Sequence, residues 1–322
     1  MRYVLTGANG HIGNNLVRYI LEQDSNAEIV ALLRKKSDIS LNGLNVKIVQ
    51  GDITSESFLS ENIFDNDIVI SMAGVIDLKN NKKEETDKIN YQAVVTLVKV
   101  TEKRKNIRFI LVGSVDGVYK EKGIDKIYEP TDFYPDLVLG NYGKSKARAM
   151  KFVLDKIKLD SSFNGAIAIP SAVIGVFDYK PSAVGKVVLG VINNKAEFGI
   201  KGGYNFVSVR DVAKGIYLLA NSDKRDVYFI SGENKTVKEM YLTLNGIAKV
   251  NHKVIIVPLF LAKLFSVFVP VLSKITLKAL TDPHNYQNDK IKKDLGLNFT
   301  PIDKTFSETV NWFKENKKLF NK

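Results

Sequence analysis

The feature that most constrains the fold is a glycine-rich turn between a short apolar segment and a segment with helical periodicity. The apolar segment covers residues 3–5, the helical segment begins at Asn14, and the turn between them reads Gly7-Ala8-Asn9-Gly10-His11-Ile12-Gly13. Glycines at this G-x-x-G-x-x-G spacing allow a tight turn, a close approach of a ligand to the backbone, and close packing of helix on strand. The free N–H groups at the start of the helix favour an anion. The turn therefore predicts a βα unit that binds the diphosphate of a dinucleotide.

Short apolar runs alternate with longer segments of helical periodicity through the first half of the chain. The runs that we assign to buried strands are 3–5, 29–33, 46–49, 68–70 and 109–112, and the helical segments are 12–22, 84–103 and 142–158. Strands that are apolar on both faces are typical of parallel sheets covered by helices. The chain is therefore predicted to be an α/β protein with a doubly wound parallel sheet.

The second half has a less regular pattern. Glycine and proline become frequent after Pro170, two further strand-like runs occur at 206–209 and 228–230, and the remainder from about Thr236 has a helical pattern. A chain of 322 residues accommodates one large domain and a smaller one. We expect a dinucleotide-binding domain at 1–175, with its sheet completed by about 204–231, and a smaller, mainly helical substrate-binding region at 176–322.

Composition and charge exclude several classes of protein. The net charge is +12, but the basic residues are scattered and lack the interleaved aromatic residues of a nucleic-acid groove, so no nucleic-acid partner is expected. The chain has no cysteine, which excludes disulfides and thiolate chemistry. Its three histidines have no partner at metal-ligand spacing, and no metal site is predicted. The N-terminal residues lack the apolar stretch of a secretory signal, so we expect a cytoplasmic protein.

One apolar stretch, at residues 254–272, could be mistaken for a membrane span. It contains Pro258, Pro270 and the central charge Lys263, whereas a spanning helix needs about 20 residues with little interruption. Polar residues recur at helical spacing, so we interpret 259–269 as an amphipathic helix that packs on the sheet domain or lines an apolar pocket. No transmembrane span is predicted, and peripheral contact with a membrane stays open as the alternative.

Tyr142 and Lys146 are the most informative pair of polar residues. They are four residues apart on a predicted helix, so the phenol and the ammonium group lie on one face. A free tyrosine has a pKa near 10, and a nearby cation favours the phenolate and lowers that pKa toward the working range. The pair can therefore transfer a proton to or from a carbonyl oxygen. The alternative is a charged helix face, because Lys144, Arg148 and Lys151 are close in sequence.

The ordered series of motifs resembles the extended short-chain dehydrogenases/reductases of the NAD-dependent epimerase/dehydratase family, over nearly the whole chain. Besides the glycine turn, the series comprises Gly51-Asp52-Ile53, Ala73-Gly74, Val112-Gly113-Ser114, Tyr142-Gly143-Lys144-Ser145-Lys146, Val207-Ser208-Val209-Arg210-Asp211-Val212-Ala213 and Asp289-Lys290-Ile291-Lys292-Lys293-Asp294-Leu295-Gly296. The run from Gly202 to Asp211 is most similar to the dihydroflavonol-reductase-like branch. The resemblance implies a Rossmann fold with a substrate-binding C-terminal region.

The resemblance also implies roles for particular residues. Ser114 would bind the substrate oxygen as the third member of a Ser/Tyr/Lys triad, although an alternative register places Val115 at that position. Asn90 would support a water relay or Lys146, and His11 is expected to be exposed in the glycine turn. The implied cofactor contacts are Gly7, Asn9, Gly10, His11, Ile12, Gly13, Arg34, Asp52, Ile53, Ala73, Gly74, Asn90, Tyr142, Lys146 and Pro170.

Cofactor choice depends on the residues that follow the second strand. An acidic side chain there accepts the ribose hydroxyls of NAD, and a cation pairs with the 2′-phosphate of NADP. The chain has Arg34-Lys35-Lys36 at this point, whereas Glu28 stands at the opposite end of the strand. We therefore predict NADP(H), and NAD stays open as the alternative because these cations also suit an exposed surface.

The predicted activity is hydride transfer to or from a carbonyl or alcohol of a small, largely apolar molecule through Ser114, Tyr142 and Lys146. The first alternative is a nucleotide-sugar epimerase or dehydratase. It is disfavoured because no arginine follows Arg225, and because the Thr-Asp-Glu that the resemblance implies for dehydratases is Val115-Asp116-Gly117 here. The second alternative is a non-catalytic dinucleotide sensor. The resemblance also implies a homodimer through the helices at 84–103 and 142–158.

Overall fold

Parallel strands that are buried on both faces dominate the first two thirds of the chain. The computed structural model describes all residues except 36–37, 78, 122, 194–196, 266–273, 283 and 321–322. The strands of the described residues are β1 (Arg2–Thr6), β2 (Glu28–Leu33), β3 (Lys47–Gln50), β4 (Ile68–Ser71), β5 (Arg108–Val112), β6 (Lys126–Ile127), β7 (Gly165–Pro170), β8 (Ala172–Ile174), β9 (Glu197–Ile200), β10 (Gly203–Ser208), β11 (Val227–Ile230), β12 (Glu233–Thr236), β13 (Val254–Val257) and β14 (Asn285–Tyr286).

The helices cover both faces of these strands. They are α1 (His11–Gln23), α2 (Glu56–Asn62), α3 (Lys83–Asp87), α4 (Ala93–Thr101), α5 (Asn141–Leu159), α6 (Ala183–Ile192), α7 (Val209–Ala220), α8 (Val237–Ala248), α9 (Leu259–Phe265), α10 (Lys274–Thr281), α11 (Asp289–Leu295) and α12 (Ile302–Glu315). A π-helical turn at Lys88–Gln92 joins α3 to α4, so the segment predicted as one helix at 84–103 is helical with a local widening.

The main sheet confirms the predicted doubly wound architecture. Seven strands lie in the order β11-β7-β5-β4-β1-β2-β3, and every pair is parallel. The order reverses between β1 and β4, and ligands of such sheets bind outside the carboxyl ends of the strands at this point. The five strands predicted in the first half all belong to this sheet.

Successive side chains of β1 point to opposite faces of the sheet and pack in two different cores. Val4 packs with α2, α4 and α5 on one face of the sheet. Tyr3 and Leu5 pack with α1 and α7 on the other face, where α1 contributes Leu16 and Ile20. Each apolar side chain so buried contributes about 1.5–3 kcal/mol. Burial on both faces is the reason that the strands have continuous apolar runs.

A third core holds the C-terminal region, and here one prediction was wrong. The prediction completed the main sheet with residues 204–231, but only β11 joins it. β10 instead pairs with β8 and β12 in a separate three-stranded sheet, against which α6, α8 and α12 pack. An apolar run does not specify its pairing partner, because that choice depends on contacts distant in sequence. The helical pattern from about Thr236 is confirmed in α8, α10, α11 and α12, with the short strands β13 and β14 between them.

The apolar stretch at 254–272 divides into different elements. Its first residues form β13, which pairs in parallel with β9, and α9 follows at Leu259–Phe265. The rest of the helix predicted at 259–269 lies outside the described residues. Among the helices that the structure describes, none has the length and apolar character that a bilayer-spanning segment requires.

Candidate active site

The glycine turn leaves no room for side chains where the backbone must approach a ligand. Gly7 has a φ of +73°, and a Cβ there would lie 2.7 Å from the backbone nitrogen of Ala73. A Cβ on Gly13 would collide with the carbonyl oxygen of Gly7 and lie 2.7 Å from Cα of Ala8. The turn thus packs directly against the chain that leaves β4, and the N-terminus of α1 opens at the carboxyl edge of the sheet.

His11 occupies a different environment from the exposed one expected for it. Its ring is half-buried, and Nε2 lies 3.1 Å from the carbonyl oxygen of Val176, so this nitrogen carries the proton. Burial lowers the pKa of His11, and the carboxylate of Asp178 opposes that shift only in part. Asn15 donates to the same carbonyl at 3.1 Å. The first turn of α1 therefore holds the loop that follows β8, in addition to facing the proposed diphosphate site.

A carboxylate that the sequence analysis missed lies beside the glycine turn. Asn9 Nδ2 donates to Asp38 Oδ2 at 2.8 Å, and Lys180 Nζ donates to the same oxygen at 2.6 Å. Burial alone would raise the pKa of Asp38, but hydrogen bonds from Lys180, Ser40 and Asn9 outweigh it and lower that pKa to about 2. Arg34 is exposed after β2, and Lys36 lies outside the described residues. The carboxylate of Asp38 and the guanidinium group of Arg34 therefore both follow β2, where the cofactor ribose is predicted to bind.

The other predicted cofactor contacts lie at the carboxyl ends of their strands. Asp52 follows β3 with its side chain about half exposed, whereas the side chain of Ile53 is buried in the core. Ala73 and Gly74 follow β4 after Met72, and Pro170 is the last residue of β7. Contact of these residues with a cofactor stays a prediction.

Lys146 is buried where the ends of β4 and β5 meet α5. Its side chain is 5% exposed, and Nζ donates to the carbonyl oxygen of Val112 at 3.0 Å. A Cβ on Gly74 would lie 3.5 Å from this Nζ, so the ammonium group lies within van der Waals distance of the backbone that follows β4. Burial lowers the pKa of Lys146 to about 8.

Tyr142 and Ser114 lie together in the same cleft. Burial and then the carboxylate of Asp116 raise the pKa of Tyr142, and the neighbouring Ser114 hydroxyl lowers it in part. The direction is opposite to the one predicted from the Tyr142/Lys146 pair, because burial and the Asp116 carboxylate both disfavour the phenolate, and Lys146 is not among the groups that shift this pKa. Val115, the alternative to Ser114, packs its side chain against the core. The structure thus brings Ser114, and not Val115, beside the phenol.

Asn90 lies behind this pair and uses its amide within the protein. It is 1% exposed, Oδ1 accepts the backbone N–H of Val75 at 2.7 Å, and Nδ2 donates to Ser145 Oγ at 2.9 Å. Ser145 Oγ in turn donates to the carbonyl oxygen of Tyr142 at 2.8 Å. The side chain therefore supports the turn of α5 that carries Tyr142, and direct contact with a cofactor stays a prediction.

Asp116 and Lys120 add charge to the cleft. Asp116 is exposed, but the protein around its carboxylate removes part of its hydration and so raises its pKa. The charge of Lys120 opposes this shift. Burial also lowers the pKa of Lys120, whose Nζ lies 5.7 Å from the ring centroid of Tyr286. Burial and the Asp116 carboxylate raise the pKa of Tyr204. Tyr204 and Tyr286 thus both lie near the Asp116 carboxylate, and Tyr286 is buried in the core against Phe229.

Comparison with known proteins agrees with this geometry. The model of the "NAD dependent epimerase/dehydratase family" matches residues 3–231. The chain is 22% identical to "Sterol demethylase protein B" of Methylococcus capsulatus, over 98% of this chain and 99% of that protein. It is 24% identical to a "Putative dihydroflavonol 4-reductase" of Synechocystis, with 97% and 94% covered. Among solved structures, the UDP-glucose 4-epimerase of Thermotoga maritima has the same fold, with a TM-score of 0.82 at 16% identity and coverage of 98% and 100%.

Proposed function

Because the chain belongs to the NAD-dependent epimerase/dehydratase family, an extended short-chain dehydrogenase/reductase family, we propose that it is an NAD(P)H-dependent reductase or dehydrogenase. Its substrate would be the carbonyl or alcohol of a small, largely apolar molecule. The observation that carries the proposal is the meeting of Ser114, Tyr142 and Lys146 at the carboxyl ends of β4 and β5, next to the glycine turn.

The glycine turn fits a dinucleotide. Gly7 and Gly13 have no space for a Cβ because the turn packs tightly on itself and on the chain after β4, and this tight turn sets the N-terminus of α1 at the carboxyl edge of the sheet, where a diphosphate would bind. Lys146 and the backbone around Ala73 and Gly74 would hold the nicotinamide side. When bound, the cofactor supplies or accepts the hydride.

The triad residues handle the proton and the substrate oxygen. In reduction, Tyr142 donates its phenolic proton to the oxygen, and its raised pKa keeps that proton in place at neutral pH. Ser114 donates a hydrogen bond that orients the same oxygen. Lys146, protonated below about pH 8, supplies positive charge where the phenolate develops.

We propose NADP(H) as the preferred cofactor. Arg34 is exposed at the end of β2 and offers a planar set of donors for a 2′-phosphate. Asp38 is the competing feature, since a carboxylate at this place could accept ribose hydroxyls. Its Oδ2 already accepts hydrogen bonds from Asn9 and Lys180. Arg34 is therefore favoured as the group that binds the substituent on the ribose.

A largely apolar substrate suits this end of the sheet because Tyr204, which is partly exposed near the Asp116 carboxylate, offers an aromatic surface. The names of two curated relatives support a ring compound as substrate, because one is named for a sterol, which has few polar groups, and the other for a dihydroflavonol, which carries a ring ketone. Dehydration of a nucleotide sugar is disfavoured at Gly117, the position of the second acid. A Cβ there would lie 2.5 Å from Met150 Cε and 2.9 Å from the backbone nitrogen of Ala147, so no glutamate fits without displacing α5.

The test is turnover of a panel of ketones and aldehydes of increasing apolar size, with NADPH and NADH compared. Tyr142→Phe should lower kcat by about 10²–10⁴-fold and leave cofactor binding intact. Tyr128→Phe, a substitution of an exposed tyrosine, is the matched control and should be neutral. If the wild type binds cofactor and reduces nothing across the panel, the sensor hypothesis replaces this one.

A further inference from the structure

The loop that follows β4 is organised around one buried carboxylate. Asp77 is 3% exposed, Oδ1 accepts the backbone N–H of Asn81 at 3.0 Å, and Oδ2 accepts that of Lys82 at 2.8 Å. Burial would raise the pKa of Asp77, but these bonds and one from Asn141 lower it, so the group is charged at neutral pH. These backbone bonds give the loop a fixed shape just before α3.

The same carboxylate binds a residue on another element. Asn141, the first residue of α5, donates through Nδ2 to Asp77 Oδ2 at 3.1 Å. The backbone N–H of Asn141 donates to Asn80 Oδ1 at 2.7 Å. Two side-chain groups of the loop therefore hold the residue that immediately precedes Tyr142.

These bonds replace a cap that α5 lacks. Its N-cap is Gly140, with a φ of +80° and no side chain, so the first N–H groups of the helix need partners from elsewhere. Asn80 supplies one such partner across 61 residues of sequence. On the other side of the turn, Ser145 binds the carbonyl oxygen of Tyr142 and Asn90 binds Ser145.

We propose that Asp77 is a positioning residue that fixes, through Asn141, the helical turn from which Tyr142 reaches the substrate. The proposal rests on the proposed function of Tyr142 as proton donor. A displacement of about 1 Å at a reacting group lowers the rate by as much as a hundredfold. Loss of the bonds that anchor this turn should therefore lower the rate.

The experiment is a two-residue exchange in the full-length protein. In Asp77→Asn, one neutral oxygen remains for the three donors of Asn81, Lys82 and Asn141, so the charge-assisted bond to Asn141 is lost. In Asn141→Asp, two carboxylates face each other. In the double variant the amide at 77 donates to the carboxylate at 141, so the bond returns with its direction reversed. The hydrogen bond from the backbone of Lys82 is not restored in the double variant. Recovery of kcat in that variant would therefore be due to the link with α5 and not to the shape of the loop.

Two readouts are measured for each variant. Each single variant should lower kcat roughly tenfold at an unchanged cofactor Kd, and the double variant should recover most of it. Amide hydrogen exchange of a peptide covering 138–147 should rise in both single variants and fall again in the double. Asp160→Asn, which removes a carboxylate bound to Ser162 after the other end of α5, is the matched control and should leave kcat and this peptide unchanged.

The outcomes separate this proposal from the proposed function. A double variant that stays as slow and as poorly protected as Asp77→Asn would overturn the positioning role and limit Asp77 to shaping its own loop. If the wild type turns over no substrate, the proposed function fails, and hydrogen exchange alone then decides whether Asp77 holds the turn. Protection that does not change in Asp77→Asn would contradict the proposal in either case.

Discussion

The ammonium group of Lys146 donates to the carbonyl oxygen of Val112 at 3.0 Å, which fixes the lysine to the last residue of β5. The same strand continues toward Ser114, and α5 carries Tyr142 one turn before the lysine. This hydrogen bond thus links the carboxyl end of β5 to α5, the helix that carries Tyr142. Because the lysine is almost fully buried, its protonation state depends on pH in a range that is accessible to experiment.

Cofactor binding should weaken as pH rises through about 8. Burial lowers the pKa of Lys146 to about 8, so the free protein holds an ammonium group below that pH and a neutral amine above it. If Lys146 holds the nicotinamide side of the cofactor as proposed, a neutral amine should hold it less tightly, because charge-assisted hydrogen bonds are lost. The measurement is Kd against pH by fluorescence titration, in the wild type and in Lys146→Met, where the dependence should disappear. Lys144→Met, at an exposed site on the same turn, should keep it. A flat wild-type profile would contradict the assignment.

A methyl group in the glycine turn should damage both stability and cofactor binding. In Gly13→Ala the new Cβ collides with the carbonyl oxygen of Gly7, and such overpacking costs about 1–3 kcal/mol. We expect a lower Tm and at least a tenfold rise in the Kd for cofactor. Gly246→Ala is the matched control: no atom lies within 4 Å of its new Cβ, and in helix α8 alanine should raise stability by about 0.5–1 kcal/mol. Equal Tm values for the two variants would be inconsistent with the packing described.

Most of the sheet could be predicted from the sequence because its strands are buried on both faces. That burial demands apolar runs, and the runs at β1, β2, β4 and β5 match the observed strands within one residue at each end. The pairing of β10 with β8 and β12 could not be predicted, since it depends on which edges meet in space. The helix boundaries were similarly close at α1 and α5, where a glycine marks the start.

Residues of the candidate site could be predicted only where the interacting residues are close in sequence. Tyr142 and Lys146 share a helix face, so their spacing, together with the glycine turn, indicated them as candidates. Asp38 reaches Asn9 across 29 residues, and Asp77 reaches Asn141 across 64, so neither contact leaves a periodic trace in the chain. The position of Asp77 a few residues before a helix could have indicated a capping role. Nothing local could have indicated its partner on α5.

Discrimination between the two cofactors should depend on Arg34. Removal of its charge in Arg34→Ser should raise the Kd for NADPH about tenfold and leave the Kd for NADH nearly unchanged, because only NADPH has the 2′-phosphate. Lys99→Ser, at another exposed cation, is the control for a general effect of net charge. Both Kd values are measured by quenching of protein fluorescence.

The complementary variant is Asp38→Asn. If the carboxylate accepts ribose hydroxyls, this change should weaken NADH binding selectively, and the preference for NADP proposed above would be wrong. If Asp38 only supports the glycine turn through Asn9 and Lys180, both Kd values should rise together and modestly.

The reverse reaction, oxidation of an alcohol, should respond to Asp116. In that direction Tyr142 must accept a proton as phenolate, and burial together with the Asp116 carboxylate raises its pKa. A raised pKa keeps the phenol protonated over more of the pH range, so at saturating cofactor the rate of oxidation should rise with pH up to about 8, where Lys146 is still charged. Asp116→Asn removes the like charge while the Ser114 contribution stays, so the pKa falls and the rising limb moves to lower pH. Ser114→Ala should move the limb the opposite way, because the hydroxyl lowers the pKa. The measurement is kcat for oxidation against pH in the wild type and both variants, and shifts of the same sign in both would refute this account of the cleft.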